Sequence, residues 1–303
     1  MVICRRRHEG DTLTRKIRPG RPFRSQRTKA PLRLLTLALL LAVLSACQIY
    51  RNIRTDDSTS LVGPPGTLTI MTYNIRVGYG SEDPGVSPLV LKDRRKKLPP
   101  IVAAIRSIDP DVVGLQEVLG ESQARELATA LNMNYAYVAH GSVAGWWGVA
   151  LLSKYRIMEA RGVQVGPQPA ARFMLIARVD VGGWPMTFTS IHADHTATDS
   201  SIRGVWHAVE RIAEPVVLIG DFNVVPADRS LDLLKGRFAD TVEAIDSENA
   251  MDALSWETFE GEGRIDYIFV DGQRFAVRDV GIIAREHWGA SDHRAYYARV
   301  SPL

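Results

Sequence analysis

Cysteine is nearly absent from this chain of 303 residues, occurring only as Cys4 and Cys47. Cys4 falls in a basic leader that export would discard, so the folded part holds no cysteine pair. That excludes an internal disulfide and a cysteine-based zinc site. Long apolar runs are missing too. The longest, Leu34 to Ala46, is interrupted by Thr36 and Ser45, and it falls short of the ~20 residues needed to span a bilayer core of ~30 Å. No internal repeat or low-complexity segment occurs. The folded part also lacks a basic surplus. The formal net charge of +3 averages unlike parts: residues 1–46 carry 11 Lys+Arg against only Glu9 and Asp11, out of 37 Lys+Arg and 34 Asp+Glu in the chain. Residues 47–303 therefore hold 26 basic and 32 acidic residues, a net of −6. A nucleic-acid binder normally carries a basic footprint.

Hydrophobic content of 46% and charged content of 23% are those of an ordinary globular core. The N-terminal 46 residues read as a signal peptide, a positive flank followed by a short apolar region with small residues at its end. Leu44-Ser45-Ala46-Cys47 resembles the lipobox of bacterial lipoproteins. The resemblance implies cleavage before Cys47, lipidation of its thiol, export and membrane anchoring, on the periplasmic side in a Gram-negative cell. Residues 47–67, ending in Gly63-Pro64-Pro65-Gly66, read as a tether, and residues 68–303 as one α/β domain. Strands are expected at 68–73, 111–116, 148–153, 172–180, 185–191, 216–219, 265–270, 275–283 and 294–300, with helices at 98–108, 121–132 and 201–213. Pro99 and Pro100 fit the first turn of the first helix.

Polar residues stand where strands end. Asn74, Glu117, His192, the pair Asp221 and Asn223, and Asp292-His293 each adjoin an apolar run. A single carboxylate in such a place is commonplace. Five such sites in one domain point to strand ends converging on a pocket. Asn, Asp, Glu and His without cysteine suit a hard cation held through oxygen, for which Mg²⁺ is the natural ion and Mn²⁺ the alternative.

These residues lie in ordered motifs: Met71-Thr-Tyr-Asn-Ile-Arg, Val113-Gly-Leu-Gln-Glu-Val, Gly220-Asp-Phe-Asn, Arg264-Ile-Asp-Tyr-Ile and Ser291-Asp-His. Together they resemble the endonuclease/exonuclease/phosphatase superfamily over about 68–300. The resemblance implies a four-layer sandwich of two packed β-sheets flanked by helices, and phosphodiester hydrolysis assisted by a divalent metal. By position it implies Glu117 as the main metal ligand with Asn74 beside it, Asp221 as the residue that orients or deprotonates the attacking water, and Asn223 as a phosphate holder. Asp292 and His293 match the terminal motif, with Asp266 fixing the His293 tautomer. His293 stays open between base and charge stabiliser. His192 matches a histidine that contacts phosphate and protonates the leaving oxygen, and Arg172 a phosphate-binding arginine. Phe222 reads as packing, His207 as structural, and His195 as structural or a rim residue.

Two departures bear on substrate. Where AP endonucleases carry Asp two residues after the first Asn, this chain has Arg76, and where they carry Tyr the aligned residue is Trp146. An indole offers a donor and no phenolic oxygen, which argues against abasic-site repair. The substrate then stands open among nucleic acid, a phospholipid headgroup as in the sphingomyelinase branch, and a small diester. A catalytically dead binding module on the same fold is the non-enzymatic alternative. The run Lys92-Asp-Arg-Arg-Lys-Lys reads as a solvated helix start. Oligomeric state is not legible.

Overall fold

The computed structural model describes residues 49–50, 66–78, 80, 98–141, 147–167, 171–245, 257–259 and 263–303. The leader, Cys47, the 92–97 run and Trp146 lie outside these residues. Those described belong to one compact unit, Ser45–Leu303.

Among the described residues one sheet has seven strands. It comprises β1 (Ile49–Tyr50), β2 (Leu68–Asn74), β3 (Val112–Val118), β4 (Asn134–Ala139), β5 (Gly148–Ser153), β12 (Phe275–Ile282) and β13 (Tyr296–Pro302), in the order β1-β4-β5-β3-β2-β13-β12. The other has six: β6 (Arg156–Gln164), β7 (Phe173–Val181), β8 (Trp184–His192), β9 (Val216–Asp221), β10 (Phe238–Asp240) and β11 (Asp266–Asp271), in the order β10-β11-β9-β8-β7-β6. Ile49–Tyr50 fall inside the expected tether and pair with β4. Helix α1 (Leu98–Ile108) connects β2 to β3, α2 (Gly120–Leu131) follows β3, and α3 (Thr198–Val209) connects β8 to β9.

Three apolar clusters define four layers. Side chains from the facing sheets, among them Ile70, Leu151, Phe188, Ile219 and Ile268, fill the centre. Ile101 and Ile105 of α1 and Leu127 of α2 pack with Met71 and Leu115 on the outer face of the first sheet. Ile202 and Val205 of α3 pack with Leu218 and Phe222 on the outer face of the second. Alternation along each strand supplies both faces, since successive side chains point to opposite sides. The sheets approach closely at Gly114, where an added Cβ would stand 2.6 Å from Ile219 Cγ2.

The third helix departs from expectation. It runs Thr198–Val209, not 201–213. Its first turn, Thr198-Asp-Ser-Ser, is polar enough to read as a loop, yet Ser201 N–H bonds Ala197 O at 3.0 Å and Asp199 sits at the favourable N-terminus. At the other end Ile212 N–H bonds Val209 O in a tight turn, and Pro215 biases the preceding residue away from helix. Strands β4, β6 and β10 were not expected; β6 is a polar edge strand with alternating exposure, and β10 has only three residues.

Candidate active site

Two parallel pairs, β2 with β3 and β8 with β9, are joined through α1 and α3 and so aim their C-terminal ends the same way. The expected polar residues gather there. Asn74 closes β2, in register with Gln116, and Glu117 follows. The β3–β5 register shifts between Leu115 and Val118, and Glu117 inside that bulge takes φ 53°. Bulges re-aim side chains, and a left-handed non-glycine residue costs on the order of 1–3 kcal/mol. The re-aimed carboxylate meets Asn74, whose Nδ2 lies 3.4 Å from Glu117 Oε1 and 3.1 Å from Asp221 Oδ2. One amide thus spans both sheets.

Asp221 closes β9, in register with His192 on β8 and Asp266 on β11. Before it, Gly220 passes β8 so closely that a methyl group would collide with the Ile191 carbonyl. Asp221 Oδ1 accepts the Asn223 backbone N–H at 2.9 Å, the local turn usual for Asp after a strand. Its Oδ2 faces His192 Nε2 at 3.7 Å and His293 Nε2 at 3.8 Å. Asn223, at φ 54°, donates to Ala193 O at 2.9 Å.

His293 Nδ1 pairs with Asp266 Oδ2 at 2.9 Å, both residues being buried. Asp266 is itself fixed, because Thr258 Oγ1 accepts the backbone N–H groups of Ile265 and Asp266 at 3.0 and 3.1 Å. Burial lowers the His293 pKa, but the Asp266 carboxylate, then Asp221, outweigh it and push the ring up to about 10. Burial, then the Asp266 charge, raises the Asp221 carboxyl above the ordinary carboxylate range, against the pull of His293. Burial raises Glu117 in the same way. His192 behaves oppositely: burial, then the Arg172 charge, holds it well below the usual histidine range, so its imidazole is neutral. Asp292 is bound by Arg76, Nε to Oδ2 at 3.0 Å, and accepts from Ser291 Oγ at 3.2 Å. Arg172 is buried against the Trp147 ring, 4.4 Å from its centroid, and burial lowers its pKa while Asp194, Glu117 and Asp221 oppose that loss.

All nine sequence candidates are therefore brought to this end of the sandwich. His195 and His207 have side chains 70% and 69% exposed, beside Asp194 and Glu210. Phe222 packs edge-on against Tyr267 and Phe269. Trp147, His140, Thr258 and Asp240 carry no role expected from sequence, and Arg264, present in a motif, pairs with the buried Asp240. The Trp146-Trp147 doublet was a signal, and Trp147 is the ring that packs on Arg172.

Two donor sets present themselves for a cation. Asp221, Asp266 and His293 each offer an atom within 4.8 Å of the others. His293 Nδ1 is already engaged by Asp266 in that trio. The carboxylate oxygens of Glu117 and Asp221, which share the Asn74 Nδ2 donor, are the better match to a hard divalent ion. Burial, the largest cause, raises both carboxyls against the pull of His293, and a bound cation would offset that burial.

The model of the Endonuclease/Exonuclease/phosphatase family matches residues 71–293. A search of curated protein sequences found no match. Solved structures share the fold. An endonuclease/exonuclease/phosphatase from Bacteroides vulgatus is 21% identical with a TM-score of 0.62, over 79% of this chain and 100% of its own. A Bacteroides thetaiotaomicron mannosyl-6-phosphatase is 23% identical with a TM-score of 0.56, over 78% and 99%. A humanized D. rerio TDP2 is 16% identical with a TM-score of 0.58, over 78% and 100%. With the family match spanning most of the domain, this chain belongs to the endonuclease/exonuclease/phosphatase family and is a phosphoesterase.

Proposed function

We propose that the protein is a divalent-metal-dependent phosphodiester hydrolase, exported and held to a membrane through a lipidated Cys47. One observation carries the catalytic half: Asp221 Oδ2 lies among Asn74 Nδ2 at 3.1 Å, His192 Nε2 at 3.7 Å and His293 Nε2 at 3.8 Å. A carboxylate flanked by two imidazoles, with a second carboxylate across the same amide, suits water activation beside a phosphate.

Glu117 is the main ligand for Mg²⁺ or Mn²⁺, and Asn74 holds it toward Asp221. Held by Glu117, such an ion would supply positive charge against the phosphate and its leaving oxygen. Asp221 orients the attacking water and takes its proton, helped by a pKa that burial has raised toward neutrality. His293, charged through Asp266, stabilises the negative charge that grows on phosphorus-bound oxygen. His192 is neutral and donates a hydrogen bond from a fixed position. Asn223 and Arg172 hold phosphate oxygens, and Arg76 keeps Asp292 in place. No covalent enzyme intermediate is needed.

A mannosyl-6-phosphatase is among the proteins that share this scaffold, and fold alone does not choose among substrates. The net of −6 in residues 47–303 favours a diester taken without extended duplex contacts. Each neutralised phosphate of duplex DNA adds about −0.9 to the log–log salt slope. The test is initial rate on plasmid DNA, RNA, phospholipid vesicles and bis-p-nitrophenyl phosphate, with and without Mg²⁺, from low to physiological salt. Turnover of the small diester or lipid headgroup with a shallow salt slope supports the reading. DNA nicking with a steep slope and no small-diester turnover replaces it with a dedicated nuclease.

A further inference from the structure

His140 belongs to none of the motifs, yet it ties together the parts of the chain that carry Trp147 and Arg172. It follows β4, and its backbone N–H bonds Trp147 O at 3.0 Å. Its Nδ1 accepts the backbone N–H of Phe173, the residue after Arg172, at 3.1 Å. The next residue, Gly141, bonds Ala171 O at 2.9 Å. Because Phe173 donates, Nδ1 carries the lone pair, and the neutral ring must hold its proton on Nε2. Burial, then the Arg172 charge, pushes the His140 pKa down to about 3, so the ring stays neutral.

Around this clip the rings interlock. Trp147 meets His140 edge-on at 5.2 Å and His192 at 5.1 Å, while Arg172 lies over its face at 4.4 Å. His140 and His192 are each 4% exposed and Arg172 is 9% exposed. His140 Nε2, His192 Nδ1 and Arg172 Nη1 are buried without hydrogen-bond partners among the described residues. Burying unpaired polar atoms is destabilising, and an apolar side chain in the place of His140 would avoid it. What an apolar residue lacks is an acceptor for Phe173 N–H.

We propose that His140 is a positioning residue for the phosphate pocket: a neutral imidazole whose Nδ1 locks the 171–173 segment against Trp147 and thereby aims Arg172. The inference rests on the proposed role of Arg172 at a phosphate. It adds a residue that touches no substrate and acts through one that does.

The test compares His140→Asn with His140→Gln. Asn keeps an acceptor at the δ position, and Gln moves it one bond outward. On bis-p-nitrophenyl phosphate, His140→Gln lowers kcat/KM by about 10- to 100-fold, the scale of a misplaced binding group. His140→Asn stays within about threefold of the starting enzyme. In an Arg172→Ala background the two variants become equivalent, because the residue they position is gone. Equal loss in both variants, or a His140→Gln penalty undiminished by Arg172→Ala, overturns the proposal in favour of a structural role. Wild-type turnover together with a silent Arg172→Ala refutes the phosphate role of Arg172 itself. A long-range ¹H–¹⁵N spectrum is independent of any substrate: it shows His140 neutral and Nε2-protonated between about pH 5 and 8. A charged or Nδ1-protonated ring overturns the clip whether or not the enzyme turns over.

Discussion

Asp266→Asn separates the charge of the Asp266–His293 pair from its shape. The two side chains differ little in volume, and Thr258 still holds the backbone at 265 and 266. What changes is the counter-charge 2.9 Å from His293 Nδ1 in a buried setting. Two unit charges about 4 Å apart interact by about 4 kcal/mol at an effective dielectric of about 20. At 1.36 kcal/mol per unit, that is about three pH units. The substitution should therefore drop His293 from about 10 to around neutrality. The sign follows from linkage. A histidine raised in the fold stabilises it fully below its unfolded pKa of ~6.5 and loses that contribution as pH rises through the folded value, so the wild type loses stability between about 6.5 and 10. The variant loses most of that slope. The assay is an NMR titration of His293 in metal-free protein with thermal melts across the same pH range. Turnover at neutral pH should fall by about 10²–10⁴-fold, because an amide also admits the wrong tautomer. A His293 that still titrates above 9 in the variant, or turnover within threefold of wild type, refutes Asp266 as the charge that holds His293 protonated.

Arg264→Met should lower stability by about 3–5 kcal/mol by leaving Asp240 buried and unpaired, a melting shift on the order of 10 °C. The native pair is a two-pronged contact at 3.1 and 2.7 Å with side chains 1% and 0% exposed. Adding Asp240→Leu should recover part of the loss, the remainder reflecting the Val242 N–H that Asp240 Oδ1 accepts at 3.0 Å, and a double variant less stable than Arg264→Met contradicts this. Cys47→Ser, expressed in a lipoprotein-processing bacterium, should release soluble protein or leave precursor. Membrane retention with normal processing removes the anchor.

Much of the site was legible because its residues are local to strand ends. Asn74, Glu117, His192 and Asp221 each follow an apolar run, and that pattern survives in one dimension. His140 also follows an apolar run, Tyr135–Ala139, but it belongs to no motif, and its acceptor meets Phe173 N–H only after β4 and β7 come together. Thr258 acts on the backbone of Ile265 and Asp266, and Arg264, ahead of β11, meets Asp240 of β10, contacts that no pattern along the chain announces. Of the strands, β6 escaped notice because an edge strand with one wet face has no continuous apolar run, and β10 is too short to show a period. The start of α3 was missed because Asp and Ser read as loop residues until the Ala197 carbonyl captures the Ser201 N–H. The bulge that gives Glu117 its φ of 53° has no glycine to announce it.

Glu117 and Asp221, carried by different sheets and joined by Asn74, should serve one metal-assisted hydrolytic site. The direct measurement is Mg²⁺-dependent hydrolysis of bis-p-nitrophenyl phosphate by the wild type, Glu117→Ala and Asp221→Ala, with Mn²⁺ binding and melting curves on each. EDTA should abolish turnover and Mg²⁺ restore it. Both variants should lose at least about 10²–10⁴-fold with the fold intact, and ion binding should weaken in Glu117→Ala. Near wild-type turnover in either variant with undiminished ion binding, or wild-type hydrolysis indifferent to EDTA, would contradict a single metal-assisted site.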